Sequence, residues 1–381
     1  MAAAMLCAVI MSSCQKYSGL EGQPIRFSVS SGTETKASYS GVTSSGKERI
    51  DWESGDLIRV YCAKSPEQQT ADYVVNSSGI TADGAKSKAT ASVSGGTGLT
   101  WGEGEHVFYA VYPSPASTGK SADVLSGGSV KGNIPSSQAP LSVTSSGDAY
   151  TAKADLLNQY MVSRATATPS GDENVEVTLP FTPITTAIEF TIENGFTSDD
   201  ALKISSVTLT SATKNLSGTF TANISTTGWT GAYPTCAETG GDGTKSVSMD
   251  FSGTAMETTG LAKGKTLSFT LFLAPTDDVN DLTFKLTKAD GSWVSTKLAY
   301  SNDATHGNDG LSFARCKKHY VHGLLIPEGA VWTVKYAPTV EKWNNGGNTP
   351  INPVPEVGEL ALVTSWDSGV EEDLELGTPS A

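Results

Sequence analysis

Large apolar side chains alternate with polar ones along most of the chain from Leu57 onward. In Leu267-Ser268-Phe269-Thr270-Leu271-Phe272-Leu273 the odd positions are all large and apolar, and in Leu282-Thr283-Phe284-Lys285-Leu286 the even ones are. This period of two is that of half-buried β-strands. Val107, Tyr109 and Val111 repeat it in the first half, and Ile188, Phe190 and Ile192 in the second. Asp290-Gly291 precedes Trp293-Val294-Ser295-Thr296 and predicts a two-residue hairpin whose glycine takes positive φ. Only Ala152 to Tyr160 reads as helical, and weakly. Strands this frequent, separated by Gly, Ser, Asn and Pro, predict an all-β chain of antiparallel sandwiches.

A length of 381 residues accommodates two ordinary domains with extensions. The pattern breaks at Thr168 to Asn174, where Pro169 and Gly171 stand among acidic residues. The expected organisation is a signal segment over 1–13, an N-terminal β-sandwich over 14–174, a C-terminal β-sandwich over 175–337 and a tail over 338–381. That tail contains Asn344-Asn345-Gly346-Gly347 and Pro350, Pro353 and Pro355, an extended tether. Glu359 to Trp366 then reads as a strand, and Asp367-Ser368-Gly369 turns the chain into Val370 to Leu376. A hairpin held out on a proline-rich tether has little core of its own to join.

The run from Met1 to Met11 has no charged side chain and ends in Met11-Ser12-Ser13-Cys14, small residues before a cysteine. That pattern suits a lipoprotein signal peptidase, although a basic start to the run is missing. Cleavage would make Cys14 a lipid-bearing N-terminus. The run is too short to span a bilayer, which takes about 20 apolar residues. With Cys7 removed and Cys14 lipidated, Cys62, Cys236 and Cys316 cannot all pair within one chain, so no dense disulfide framework is implied. The net charge of −14 argues against nucleic acid as a partner, because phosphate binding needs clustered Lys and Arg.

Catalytic patterns are missing. There is no Gly-x-Ser-x-Gly elbow and no His-Glu-x-x-His motif. Gly41 to Lys47 imitates a phosphate loop, but Glu48 stands where Ser or Thr should hold magnesium. Cys316, His319 and His322 suggest a metal cluster only until the strand is considered, since His319 and His322 fall on opposite faces. The Asn302 to Asp309 loop fits no EF-hand spacing. The expectation is no catalytic residue, no cofactor and no resident metal. Trp101 and Trp229 lie in Gly/Thr-rich loops and are the candidates for stacking on sugars, whereas Trp52, Trp293 and Trp332 read as core or hairpin residues.

Several strings resemble the fimbrillin family, the lipoprotein-derived type V pilins of Bacteroidota. Trp52-Glu53-Ser54-Gly55-Asp56 leading into Leu57-Ile58-Arg59-Val60-Tyr61 is similar to the opening of that family's first domain, and Tyr109-Ala110-Val111-Tyr112-Pro113 to the strand end that follows. Leu179-Pro180-Phe181-Thr182-Pro183 with Ala187-Ile188-Glu189-Phe190 resembles the entry to the second, and Leu216 to Thr221 and Phe272-Leu273-Ala274-Pro275 also match. The resemblance implies two tandem transthyretin-like sandwiches, an N-terminal strand cut away by an arginine-directed protease, and a vacated groove that takes a C-terminal strand of the next subunit. Ile25 to Ser30 would be the removable strand. Lys36 stands where relatives show arginine, and Arg49 lies further on; both are candidate cleavage sites. Leu360, Leu362 and Trp366 share one face of the donor, and each large apolar side chain buried contributes roughly 1.5–3 kcal/mol.

The resulting expectation is an outer-membrane-anchored, surface-exposed fimbrial subunit without enzymatic activity, whose partners are other subunits and a host or bacterial surface receptor. The alternative is a surface glycan-binding lipoprotein of a polysaccharide-uptake system, for which a tethered hairpin has no use. Metabolic labelling with a palmitate analogue tests the anchor: the wild type is expected to carry label and Cys14→Ala to lose it.

Overall fold

The computed structural model describes residues 19–31, 38–42, 48–77, 80–83, 86–117, 123–124, 126–169, 175–225, 235–236, 243–279, 282–298, 311–313, 318–327, 333–334, 339–341, 366–367 and 371–372. Among them strands dominate, as the alternation predicts.

Seven strands form a closed ring: β1 (Arg26–Ser31), β2 (Leu57–Tyr61), β3 (Thr70–Val75), β4 (Lys86–Val93), β5 (His106–Tyr112), β6 (Met161–Ala167) and β7 (Glu176–Pro183). Their order is β1-β7-β6-β5-β2-β3-β4, and β4 pairs back onto β1. Closure leaves these strands with partners on both sides, which removes the open edges of a flat sheet. Side chains pointing into the ring form a core that includes Phe27, Ile58, Tyr73, Phe108, Met161 and Phe181. A small sheet containing Ser129–Ile134 and β10 (Gly218–Asn223) shares a second core with the ring's outer face, where Val111 and Val162 meet Val130 and Phe220. On β5 the predicted face is therefore the outer one: Phe108, Ala110 and Tyr112 fill the ring while Val111 is buried outside it.

The second body is a sandwich. One sheet runs Ser137–Gln138, β11 (Ser246–Asp250), β9 (Ile204–Ser211), β13 (Leu282–Lys288) and β14 (Trp293–Lys297). The other contains Ser142–Ser146, Ala149–Lys153, β12 (Thr266–Leu273), β8 (Thr186–Asn194) and β15 (Lys318–Ile326). Between them Phe190 stacks on Phe269 at 5.4 Å and meets Phe284 at 5.1 Å. On β15 the buried Lys318 reaches Glu189 of β8 at 2.7 Å, which satisfies a charge that burial alone would make costly.

Three local expectations change. The Asp290-Gly291 turn is a three-residue loop, because Lys288 N donates to Ser292 O at 2.7 Å; Gly291 has the required positive φ of 86°. Ala152 to Tyr160 is no helix. Its first residues complete the strand Ala149–Lys153, and a short 3-10 turn follows at Leu156–Asn158, capped where Asp155 Oδ1 accepts from Leu157 N. The seam expected between 14–174 and 175–337 is crossed in both directions. β7 belongs to the ring, while Ser142–Ser146 and Ala149–Lys153 join the sheet of β12 and β8.

Phe190→Ala should lower the unfolding free energy by about 3–5 kcal/mol, since Phe190 is fully buried between both sheets. Urea denaturation of wild type and variant provides the check.

Candidate functional site

β1 is the first strand described, and it lies parallel to β7 (Arg26↔Glu176 through Ser31↔Phe181) and antiparallel to β4 (Phe27↔Ala91 through Ser30↔Lys88). It therefore fills a slot with hydrogen-bonding edges on both sides. Ile25, Phe27, Val29 and Ser31 point inward and are buried, while Arg26 is exposed. The inward positions differ in chemistry. Phe27 sits edge-on to Tyr73 at 4.9 Å and to Phe108 at 5.3 Å, an aromatic box. Ser31 Oγ donates to Ser87 O at 3.1 Å and accepts from Ser87 N at 2.6 Å. On the outside, Ser28 Oγ and Thr178 Oγ1 share a hydrogen bond of 3.0 Å.

The two ends of the slot are closed by tryptophans. At the approach to β1, Gly22 N donates to Trp101 O at 2.8 Å and Trp101 N donates to Gln23 O at 3.0 Å. The Trp101 ring is buried edge-on to His106 at 5.0 Å. His106 Nε2 accepts from Gly102 N at 2.9 Å and Nδ1 lies 2.8 Å from Gly104 O, an arrangement suited to the neutral ring. Burial pushes the His106 pKa down. Trp101 thus exposes no ring face to a sugar, and its role as a candidate stacking residue is replaced by a structural one. At the other end, Trp52 N donates to Ser87 Oγ at 3.2 Å, and its ring packs edge-on to Phe181 and Tyr112.

The Trp52 to Asp56 string is a built turn. Gly55 takes a φ of 94°, Asp56 Oδ2 accepts from Glu53 N at 2.8 Å, and Asp56 Oδ1 accepts from Tyr112 Oη at 3.0 Å. Asp56 O also accepts from Val75 N at 2.9 Å, which ties the turn to β3. Burial outweighs these donors and raises the Asp56 pKa from 3.8 to about 6.

Of the other sequence-predicted residues, Arg49 lies in the strand Glu48–Asp51, paired with Ser38–Val42, and Trp366 in a short strand paired with Glu371–Glu372. Cys14, Lys36, Trp229, Leu360 and Leu362 lie outside the described residues. Trp293 is a hairpin residue, with Lys285 Nζ 4.2 Å above its ring. His319 is buried against Phe313. Among the described residues, no group of three or more His, Cys, Asp or Glu could hold a metal ion, and no helix is long and apolar enough to cross a membrane. Sequence reasoning missed Ser31, Ser87, Tyr73 and Phe108. The alternation of Ile25, Phe27 and Val29 was the available signal for the strand, but nothing local marks its partners.

A family model described as fimbrillin-like matches residues 35–343. Among solved structures, a candidate cell adhesion protein of Bacteroides uniformis is similar over 84% of this chain and 98% of its own, at 16% identity and a TM-score of 0.48. A fimbrial protein of Bacteroides ovatus is similar over 79% of this chain and 48% of its own, at 15% identity and 0.34. For a fimbrial assembly protein of Parabacteroides distasonis the figures are 83%, 98%, 10% and 0.34. A search of the curated proteins finds no match.

The pH dependence of stability follows from Asp56. Its folded pKa of about 6 lies above the ordinary 3.8, so its contribution is full below about pH 4 and is lost as pH rises through 6. Two pKa units correspond to at most about 3 kcal/mol. Asp56→Asn should flatten that decline between pH 4 and 7, measured by urea midpoints across the range.

Proposed function

We propose that this chain, which belongs to the fimbrillin-like family, is a fimbrial subunit that joins its neighbours by strand exchange at the β1 slot. The observation that carries this reading is the position of β1. A strand near the N-terminus fills a slot between β4 and β7, with Lys36 and Arg49 downstream of it as points where a protease could free it. Its loss would expose two unpaired edges and an apolar trough, which an added strand satisfies through backbone hydrogen bonds and alternate side chains. The segment 358–376 of a second copy, on its Pro350 to Pro355 tether, is the proposed donor. The subunit acts by polymerisation and adhesion, without catalysis, and Cys14 carries the lipid that holds the anchored form at the outer membrane.

An uncut chain is expected to stay monomeric, since its own strand occupies the slot without the entropy cost of association. Cutting removes that advantage. The test is size-exclusion chromatography and electron microscopy after limited trypsin treatment. Nicked full-length protein should form high-mass filaments, whereas a chain ending at Gly347 should remain folded and monomeric after the same treatment. Leu362→Asp should weaken assembly by placing a charge in an apolar trough. If both nicked proteins assemble alike, or neither does, the exchange reading is wrong.

A further inference from the structure

The geometry points to one register for the incoming strand: Leu360 in the Phe27 position, Leu362 in the Val29 position and Thr364 on Ser87, parallel to β7. This rests on the strand-exchange reading and goes further, because it names which residue meets which pocket. The inward positions of β1 run apolar, aromatic, apolar, hydroxyl (Ile25, Phe27, Val29, Ser31). The alternate residues of the donor segment are Gly358, Leu360, Leu362, Thr364 and Trp366. Within Gly358 to Trp366, only an offset that sets Leu360 on Phe27 delivers large side chains to the two deepest apolar positions and a hydroxyl to the fourth.

The fourth position decides the matter. Ser87 is fully buried, and its backbone N–H has Ser31 Oγ as acceptor at 2.6 Å, one residue beyond the last ladder pair Ser30↔Lys88. A replacement strand without a hydroxyl there leaves that N–H unpaired in the interior, a loss larger than the bond's net worth. Shifting the donor two residues one way puts Trp366 on Ser87, where Ser31 is 1% exposed and leaves no room for an indole. The other way puts Gly358 in the aromatic box of Tyr73 and Phe108 and Leu362 on Ser87. Reversing the strand can place Leu362 and Leu360 in the trough, but then Gly358 faces Ser87. In the favoured register Trp366 lies beyond the slot, and the donor face narrows from the expected Leu360, Leu362 and Trp366 to Leu360, Leu362 and Thr364.

The same register carries two imperfections. Gly358 takes the place of Ile25 and leaves that position unfilled. Glu359 replaces Arg26 opposite Glu176, which sets like charges side by side on the surface. Gly358→Ile and Glu359→Arg should therefore each strengthen the joint.

Disulfide mapping in nicked protein tests the register. Thr178 lies opposite Ser28, whose place Ala361 would take. With Cys236 and Cys316 replaced by Ser, Thr178→Cys is combined in turn with Glu359→Cys, Ala361→Cys or Val363→Cys and oxidised. Intermolecular cross-linking is expected with Ala361→Cys and at least tenfold less with the other two. Preferential cross-linking through Glu359→Cys or Val363→Cys, or filaments that cross-link through none of the three, would overturn the register while leaving strand exchange in place. Absence of any high-mass species overturns strand exchange, and the register with it. Thr364→Val should slow assembly about tenfold and Thr364→Ser should not, because only the serine keeps the acceptor for Ser87 N–H; equal rates for the two would also overturn it.

Discussion

The double pairing of β1 is the constraint on which the ring depends. A strand paired on one side only would leave β4 or β7 as an open edge, with a row of unsatisfied N–H and C=O groups. Because β1 meets both neighbours, the ring closes and its interior becomes a dry core around Phe27, Tyr73 and Phe108. Ser31 extends the ladder by one step through its side chain, and Ser87 passes that contact on to Trp52. The end of β1, the start of β4 and the turn at Trp52 to Asp56 are thereby mechanically joined.

This coupling gives the Trp-to-Asp string a physical meaning. Trp52 covers the end of the ring against Phe181 and Tyr112, and Asp56 holds both the turn and the Tyr112 hydroxyl. The carboxylate sits where burial disfavours its charge, so its retention costs stability near neutral pH. In return it fixes the end of β5 against β2 and β3, which contribute Ile58 and Tyr73 to the ring core.

The two bodies are woven together rather than strung in sequence. The chain leaves the ring after β5, lays strands Ser142–Ser146 and Ala149–Lys153 beside β12, and returns for β6 and β7 before completing the sandwich. Gln138 shows the effect locally: its amide donates to Phe272 O at 2.7 Å and accepts from Phe272 N at 3.0 Å, joining residues far apart in sequence. The sandwich has a large core of its own, centred on Phe190, Phe269 and Phe284, distinct from the ring core around Phe27, Tyr73 and Phe108.

By itself the sequence determined the β class and most individual strands, because period-two alternation is a local property: Thr266–Leu273, Leu282–Lys288 and Thr186–Asn194 all lie where alternation puts them. It also determined the family, through short strings that turn out to be turns and strand ends. Alternation says which residues share a face but not what that face meets. Val107, Tyr109 and Val111 were legible as a row, yet β5 is buried on both sides and only pairing reveals that the ring takes the other row. Trp101 read as a loop tryptophan because its neighbours are Gly and Thr; its burial comes from Gln23 and His106, one far off in the chain. Ser31 and Ser87 carried no signal at all, since two serines become a latch only when distant strands lie side by side. Ring closure, the seam between bodies and the chemistry of the slot are non-local pairings, and those the tertiary structure alone decided.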